Sequence, residues 1–235
     1  MIPSGLPRSS FLLRYVSRRM YRLLLISLFI SLSLPAALSA QGWISLFNGK
    51  DLGGWRASET KDTWIVTEGA IKAQGKGRSH LFYAGAVGGA IFKNFELRVD
   101  VKTEPESNGG IYFHTEYQDT GFPERGFEVQ VNNTYKDKRK TGSLYGVQDV
   151  LEAPAKDGKW FKQSILVQGN QVTIKIDGKT VTTWTQPADW QGLNKRGPGL
   201  VYFPDRKLTS GTFALQGHDQ HSVVYYKNIK VRMLP

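Results

Sequence analysis

From Trp43 onward the chain is cut into short runs of alternating apolar and polar residues, and this period of two most restricts its fold. Successive side chains of a strand point to opposite faces, whereas a helix repeats every 3.6 residues. Residues 95–101 (Phe-Glu-Leu-Arg-Val-Asp-Val) alternate cleanly. In Gly126-Phe-Glu-Val-Gln-Val-Asn-Asn133, Phe127, Val129 and Val131 oppose Glu128, Gln130 and Asn132. Asn108-Gly-Gly110 leads into Ile111-Tyr-Phe-His114. Gly169-Asn170 divides 164–168 from 171–176 as a hairpin turn would, and Asp177-Gly178 turns into 179–184. Residues 212–216 and 223–233 supply the last strands. No long amphipathic helix, internal repeat or low-complexity linker interrupts this pattern. The expected fold is all-β, with two antiparallel sheets packed face to face and a polar face left for a ligand cleft.

The first 40 residues stand apart. Arg14, Arg18, Arg19 and Arg22 precede an apolar run from Leu23 to Leu34. Pro35 and Ala36-Ala-Leu-Ser-Ala40 follow, with small residues suited to cleavage near Gln41. The run is shorter than the ~20 residues of a membrane span. Residues 1–40 read as a signal peptide, and the stretch from Met20 is complete as one by itself. The expected product is a periplasmic or extracellular protein with no stable membrane insertion, residues 41–235 forming a single domain. Setting residues 1–40 aside removes five arginines and no acid, which lowers the net charge from +11 to near +6. Apart from Lys136-Asp-Lys-Arg-Lys140 the remaining cations are scattered, so nucleic acid is not an expected partner. With no cysteine, disulfides, thiol catalysis and cysteine metal sites are excluded, and stability must come from the core.

On the strand 126–133 one carboxylate and two amides share a face, a suitable lining for a polar cleft. Trp43, Trp55 and Trp64 read as core or edge residues, and Trp160, Trp184 and Trp190 as packing or sugar-stacking residues. The opening Gly42-Trp-Ile-Ser-Leu-Phe-Asn-Gly-Lys-Asp-Leu-Gly-Gly-Trp55 closely resembles the start of the 3-keto-disaccharide hydrolase family, long catalogued as a domain of unknown function. Asn108-Gly-Gly-Ile-Tyr-Phe113, Gly126-Phe-Glu-Val-Gln130, Thr141-Gly-Ser-Leu-Tyr-Gly146 and Leu215-Gln-Gly-His218 follow in the family's order, and the resemblance spans 42–234. It implies a concanavalin A-like jelly-roll sandwich that cleaves glycosides oxidised to a ketone at C3, beside a separate sugar 3-oxidoreductase. The chain departs from the family at His114, where arginine is usual.

A retaining glycosidase needs two carboxylates about 5 Å apart. Glucanases of this architecture carry Glu, Asp and Glu at alternate positions of one strand, where this chain has Glu128, Gln130 and then Asn132 or Asn133. Only the first carboxylate survives, unless Glu116, Glu124 or Asp149 supplies a partner from a loop. A ketone at C3 removes the need for the second, because it acidifies the C2 hydrogen. One base, a stabiliser for the enediolate oxygen and an acid for the leaving group then suffice. On this reading Glu128 is the base or a metal ligand and His218 the other general acid/base. His114 and Tyr145 are candidates for oxyanion or leaving-group contacts, Gln130 for sugar hydroxyls, and Asp137 and Lys140 for further substrate contacts. A divalent cation could polarise the ketone. No compact metal motif is visible, so the metal ligands stay unassigned, and no organic cofactor is expected. The alternative is a non-catalytic, lectin-like carbohydrate-binding module; a third is a structural sandwich without a ligand.

Overall fold

The computed structural model describes residues 42–194, 202–203 and 206–235. In chain order its strands are β1 (Ile44–Ser45), β2 (Trp55–Ala57), β3 (Trp64–Thr67), β4 (Ala70–Gln74), β5 (Ser79–Tyr83), β6 (Phe95–Thr103), β7 (Asn108–Thr115) and β8 (Phe127–Asn132). They continue with β9 (Phe161–Gln168), β10 (Gln171–Ile176), β11 (Lys179–Thr185), β12 (Leu193–Asn194), β13 (Tyr202–Phe203), β14 (Thr212–Gly217) and β15 (Val223–Met233). The only helical pieces among the described residues are the short 3-10 turns Lys61–Thr63 and Val87–Ala90. None is long and apolar enough to cross a membrane.

The strands form two antiparallel sheets and a small β12–β13 ribbon. The larger sheet runs β11-β10-β9-β6-β15-β4-β3, with β1 paired to β15, and the five-stranded sheet runs β2-β5-β14-β7-β8. Alternation decides what each buries. On β6, Phe95, Leu97, Val99 and Val101 are buried while Glu96, Arg98, Asp100 and Lys102 are partly exposed. These apolar residues meet Ile111, Phe113, Val129, Val131 and Leu215 of the smaller sheet in one continuous core. Burial of such aliphatic and aromatic groups, worth about 1.5–3 kcal/mol each, is what a cysteine-free domain has to hold it together. Tyr226 reaches across this core from β15, and its hydroxyl donates to the Gln216 carbonyl oxygen at 3.1 Å. A side chain at Gly109 would meet that hydroxyl 2.7 Å away, so the cross-core contact requires glycine there.

The smaller sheet departs from the simple half-buried pattern. β7, β8 and β14 are buried along their whole length, on both faces. The 116–126 connection between β7 and β8 contributes Gln118, Phe122 and Glu124 to the cavity on the outer face. The outer edge of β8 is covered as well. Gly142 N–H donates to Gln130 O, Gln130 N–H to Ser143 O, and Tyr145 N–H to Glu128 O, at 2.9–3.0 Å. This added segment carries Tyr145 to the same cavity.

Candidate active site

The outer face of the five-stranded sheet floors a cavity of about 550 Å³. Cross-strand register sets its polar row: Tyr112 lies opposite Glu128 and Gly110 opposite both Gln130 and Gln216. Glu128 leans across β7 over Gly110, where an added methyl would overlap its Oε1. The missing Cβ lets Gln216 reach the carboxylate from the next strand. Gln216 Nε2 donates to Glu128 Oε1 at 2.9 Å, and Tyr112 OH donates to Oε2 at 2.8 Å. Gln130 Nε2 donates to Asn108 Oδ1 at 3.0 Å, which fixes that amide at the edge of the floor.

Glu128 is only 6% exposed. Burial disfavours its charge and raises its pKa above the usual 4.5, against the pull of Tyr112, Arg206, His218 and Gln216. The same burial, with the carboxylate beside it, drives the Tyr112 hydroxyl well above its usual pKa of 10, so it remains a donor. Across the cavity His218 is oriented through Nδ1 by Asp219 Oδ2, 2.9 Å away. Burial opposes the Asp219 charge, but hydrogen bonds from His218 and from the backbone N–H groups of His221 and Ser222 outweigh it. They hold that carboxylate at about 2. That contact leaves His218 Nε2 on the side of the ring away from Asp219. Arg206 also lines the cavity, its Nη2 donating to Pro123 O at 2.8 Å. Phe122 closes one side beneath the Arg78 guanidinium, 4.9 Å from the ring centroid.

Of the residues anticipated from the sequence, Glu128, Gln130, Tyr145 and His218 come together in this cavity, with Asp137. His114 does not. It adopts φ 55° at a bulge where three steps of β7, Tyr112 to Thr115, match two of β14. The alternation that pointed His114 along with Tyr112 therefore breaks one residue too early. Its ring packs against Phe95 and Phe113, donates from Nε2 to Lys93 O at 2.9 Å, and accepts from Thr209 N–H at Nδ1. Burial, helped by the charge of Arg125, holds it neutral with a pKa of about 4.

Lys140 also lies apart from the cavity. Its Nζ donates to the carbonyl oxygens of Tyr135 and Asp137 and ties down the loop after β8. Asn132 serves that loop too, donating to Asp137 O and Arg139 O. Of the three possible second carboxylates, Glu124 lines the cavity, Glu116 pairs with Arg125 and Asp149 with Arg139. None of the three tryptophans considered for sugar stacking lines it. Trp184 packs between Phe127 and Trp190, and Trp160 lies on the outer face of the larger sheet beside Tyr225. Among the described residues, the phenyl and phenol rings at the cavity are Tyr112, Phe122 and Tyr145.

Sequence reasoning did not single out Tyr112, Gln216, Asn108 or Arg206. Gln216 was findable, since it alternates with Leu215 in a buried strand; Arg206 has no flanking pattern at all. For a divalent cation the residue set is a poor fit. Among the described residues no three His, Cys, Asp or Glu side chains gather, and both Glu128 oxygens already accept hydrogen bonds. A cation here would have to draw most of its ligands from substrate.

The family model of the 3-keto-alpha-glucoside-1,2-lyase-like domain matches residues 42–232. A 3-keto-disaccharide hydrolase of Bacteroides thetaiotaomicron is 29% identical over 246 aligned positions, covering 87% of this chain and 82% of that protein. Among solved structures, one from Parabacteroides distasonis, provisionally described as a glycosyl hydrolase, superposes with a TM-score of 0.65 at 23% identity. It covers 83% of this chain and 94% of its own. A Bacillus subtilis protein with a galectin-like fold superposes at 0.55 with 12% identity, over 82% of this chain and 97% of its own. The jelly-roll sandwich expected from the sequence is the fold observed.

Proposed function

Because this chain belongs to the 3-keto-alpha-glucoside-1,2-lyase-like domain family, we propose that it is a carbohydrate-active enzyme that cleaves 3-keto-glycosides. One observation carries the chemistry. The cavity floor holds a single buried carboxylate, gripped by a phenol and an amide, while the other carboxylates at the cavity, Glu124 and Asp137, belong to the more exposed loops around it. That arrangement suits proton abstraction better than double displacement. Glu128, its pKa raised by burial, removes the C2 proton made acidic by the C3 ketone. The electron pair moves into the C2–C3 bond and places charge on the ketone oxygen, which donors at the cavity stabilise. Expulsion of the C1 oxygen follows, with His218 Nε2 protonating the leaving group. Addition of water to the unsaturated sugar gives net hydrolysis. Gln130 contacts sugar hydroxyls, and Tyr145 contacts the oxyanion or the leaving group.

The substrate requires prior oxidation at C3, so a separate sugar 3-oxidoreductase is the partner this chemistry calls for. The basic and apolar N-terminal segment supports export, with the enzyme acting in the periplasm or outside the cell. A galectin-like sandwich also suits a module that only binds sugars, but amides and aromatic rings are enough for binding. A buried carboxylate costs stability that binding through amides and rings does not require.

The test offers the purified protein a 3-keto-glucoside and its unoxidised parent. Aglycone release from the keto form alone, lost at least ~10³-fold in Glu128→Gln with thermal unfolding unchanged, is the expected result. Equal turnover of the parent would sink the keto-specific reaction. Binding of both sugars without cleavage would favour the lectin-like reading.

A further inference from the structure

Behind the core, the outer face of the larger sheet carries cations and rings that the proposed chemistry does not use. Lys72 on β4 and Lys102 on β6 are both register partners of Tyr225 on β15. Trp160 precedes Phe161 of β9, the partner of Val101, and so continues the row past Lys102. The Lys102 ammonium lies 4.2 Å from the Tyr225 centroid and 5.5 Å from that of Trp160, Lys72 lies 5.4 Å from Tyr225, and Lys227 lies 3.9 Å from Trp160. Trp160 is 39% exposed, one of the few large apolar side chains open to solvent among the described residues. None of the three lysines has a carboxylate partner among them, whereas Lys162, Arg98 and Arg232 on the same sheet are all paired with Asp100 or Glu96.

Lys72, Lys102 and Lys227 thus place three ammoniums without carboxylate partners on one open face, and an anionic polymer lying along it would neutralise them. We propose that this row is a docking surface for an acidic polysaccharide bearing uronate carboxylates. A uronate residue presents a carboxylate at its edge and an apolar C–H face, so one unit can satisfy a lysine and lie on a ring. Lys72 and Lys102 stand two strand spacings apart, roughly 10 Å, comparable to a disaccharide step along an extended polymer. The row crosses four strands on an open sheet face, which accepts a chain continuing in both directions. A bilayer fits less well, because the exposed large apolar side chains of this row among the described residues are Ile65, beside Lys72, and Trp160, too small an apolar area for an interfacial anchor.

Native gels cast with polygalacturonate, dextran sulfate or neutral dextran test this at physiological ionic strength, beside flotation with anionic lipid vesicles. Polygalacturonate should retard the protein and neutral dextran should not. Lys102→Gln combined with Lys227→Gln, and separately Trp160→Ala, should each weaken retardation about tenfold, with keto-glycoside turnover unchanged. The matched charge change Lys138→Gln with Lys179→Gln should leave retardation as it was. Absence of retardation, equal loss in the control pair, equal binding of dextran sulfate indifferent to Trp160→Ala, or flotation with vesicles in place of gel retardation would each overturn the proposal.

Discussion

Glu128 shows how three unremarkable neighbours set the chemistry of one residue. Burial raises its pKa, and the Tyr112 hydroxyl opposes that rise by donating to the charged form. In the proposed reaction Glu128 works only when deprotonated, so kcat/KM should fall on the acid side with a midpoint above 4.5. Tyr112→Phe removes a donor to the carboxylate and should move that limb to higher pH. A limb that stays in place would show that the titrating group is not Glu128. Gly110 acts through space alone. A methyl there would overlap Glu128 Oε1 and push the carboxylate away from Gln216. Gly110→Ala should therefore lower kcat/KM by about 10²-fold, the cost of a misplacement on the order of 1 Å. In the Glu128→Gln background the same change should cost nothing more, and a second full loss there would assign Gly110 to folding instead.

At the scale of the element, β7 is the strand that both supports the site and breaks its own alternation. Its bulge at Phe113–His114 is held from both sides by glycine. A side chain at Gly126, φ 77°, would overlap Phe113 O, and one at Gly211 would overlap Thr115 O. Backbone cannot yield as a flexible side chain can, so Gly126→Ala should cost at least about 2 kcal/mol in denaturant unfolding. A loss under ~0.5 kcal/mol would mean the bulge relaxes freely. The same bulge explains why strand parity misplaces His114. Parity extrapolates correctly from Ile111 to Phe113, but a single residue at positive φ turns His114 back toward the core, and nothing in Ile-Tyr-Phe-His announces it. β8 had the opposite fate, since it pairs with β7 in unbroken register from Phe127 to Asn132 and its Glu-x-Gln alternation could be read directly.

For the molecule as a whole, two histidines are buried neutral. Burial depresses His80 to about 3, helped by the charges of Arg78 and His218, and neither ring nitrogen has a hydrogen-bonding partner among the described residues. His114 is depressed to about 4. Each pKa is lower in the folded chain than in the unfolded one, so the folded state is favoured above the usual 6.5 and loses that advantage as pH falls. His114 alone should take away about 3 kcal/mol between pH 7 and 4. Unfolding followed across that range should show the slope, flattened in His114→Gln; an unchanged slope would mean that His114 is not what drives it. Sequence alone determined the sandwich, because a period of two and turn dipeptides are local properties that survive in any context. It also determined that this strand offers one carboxylate with amides beside it. Only the tertiary structure decided which residues meet Glu128. Tyr112, Gln216 and Arg206 arrive from points 16 to 88 positions away along the chain, brought by inter-strand register, by the loop over the sheet and by a glycine small enough to be crossed. Such encounters depend on packing between distant segments, and no local pattern records them.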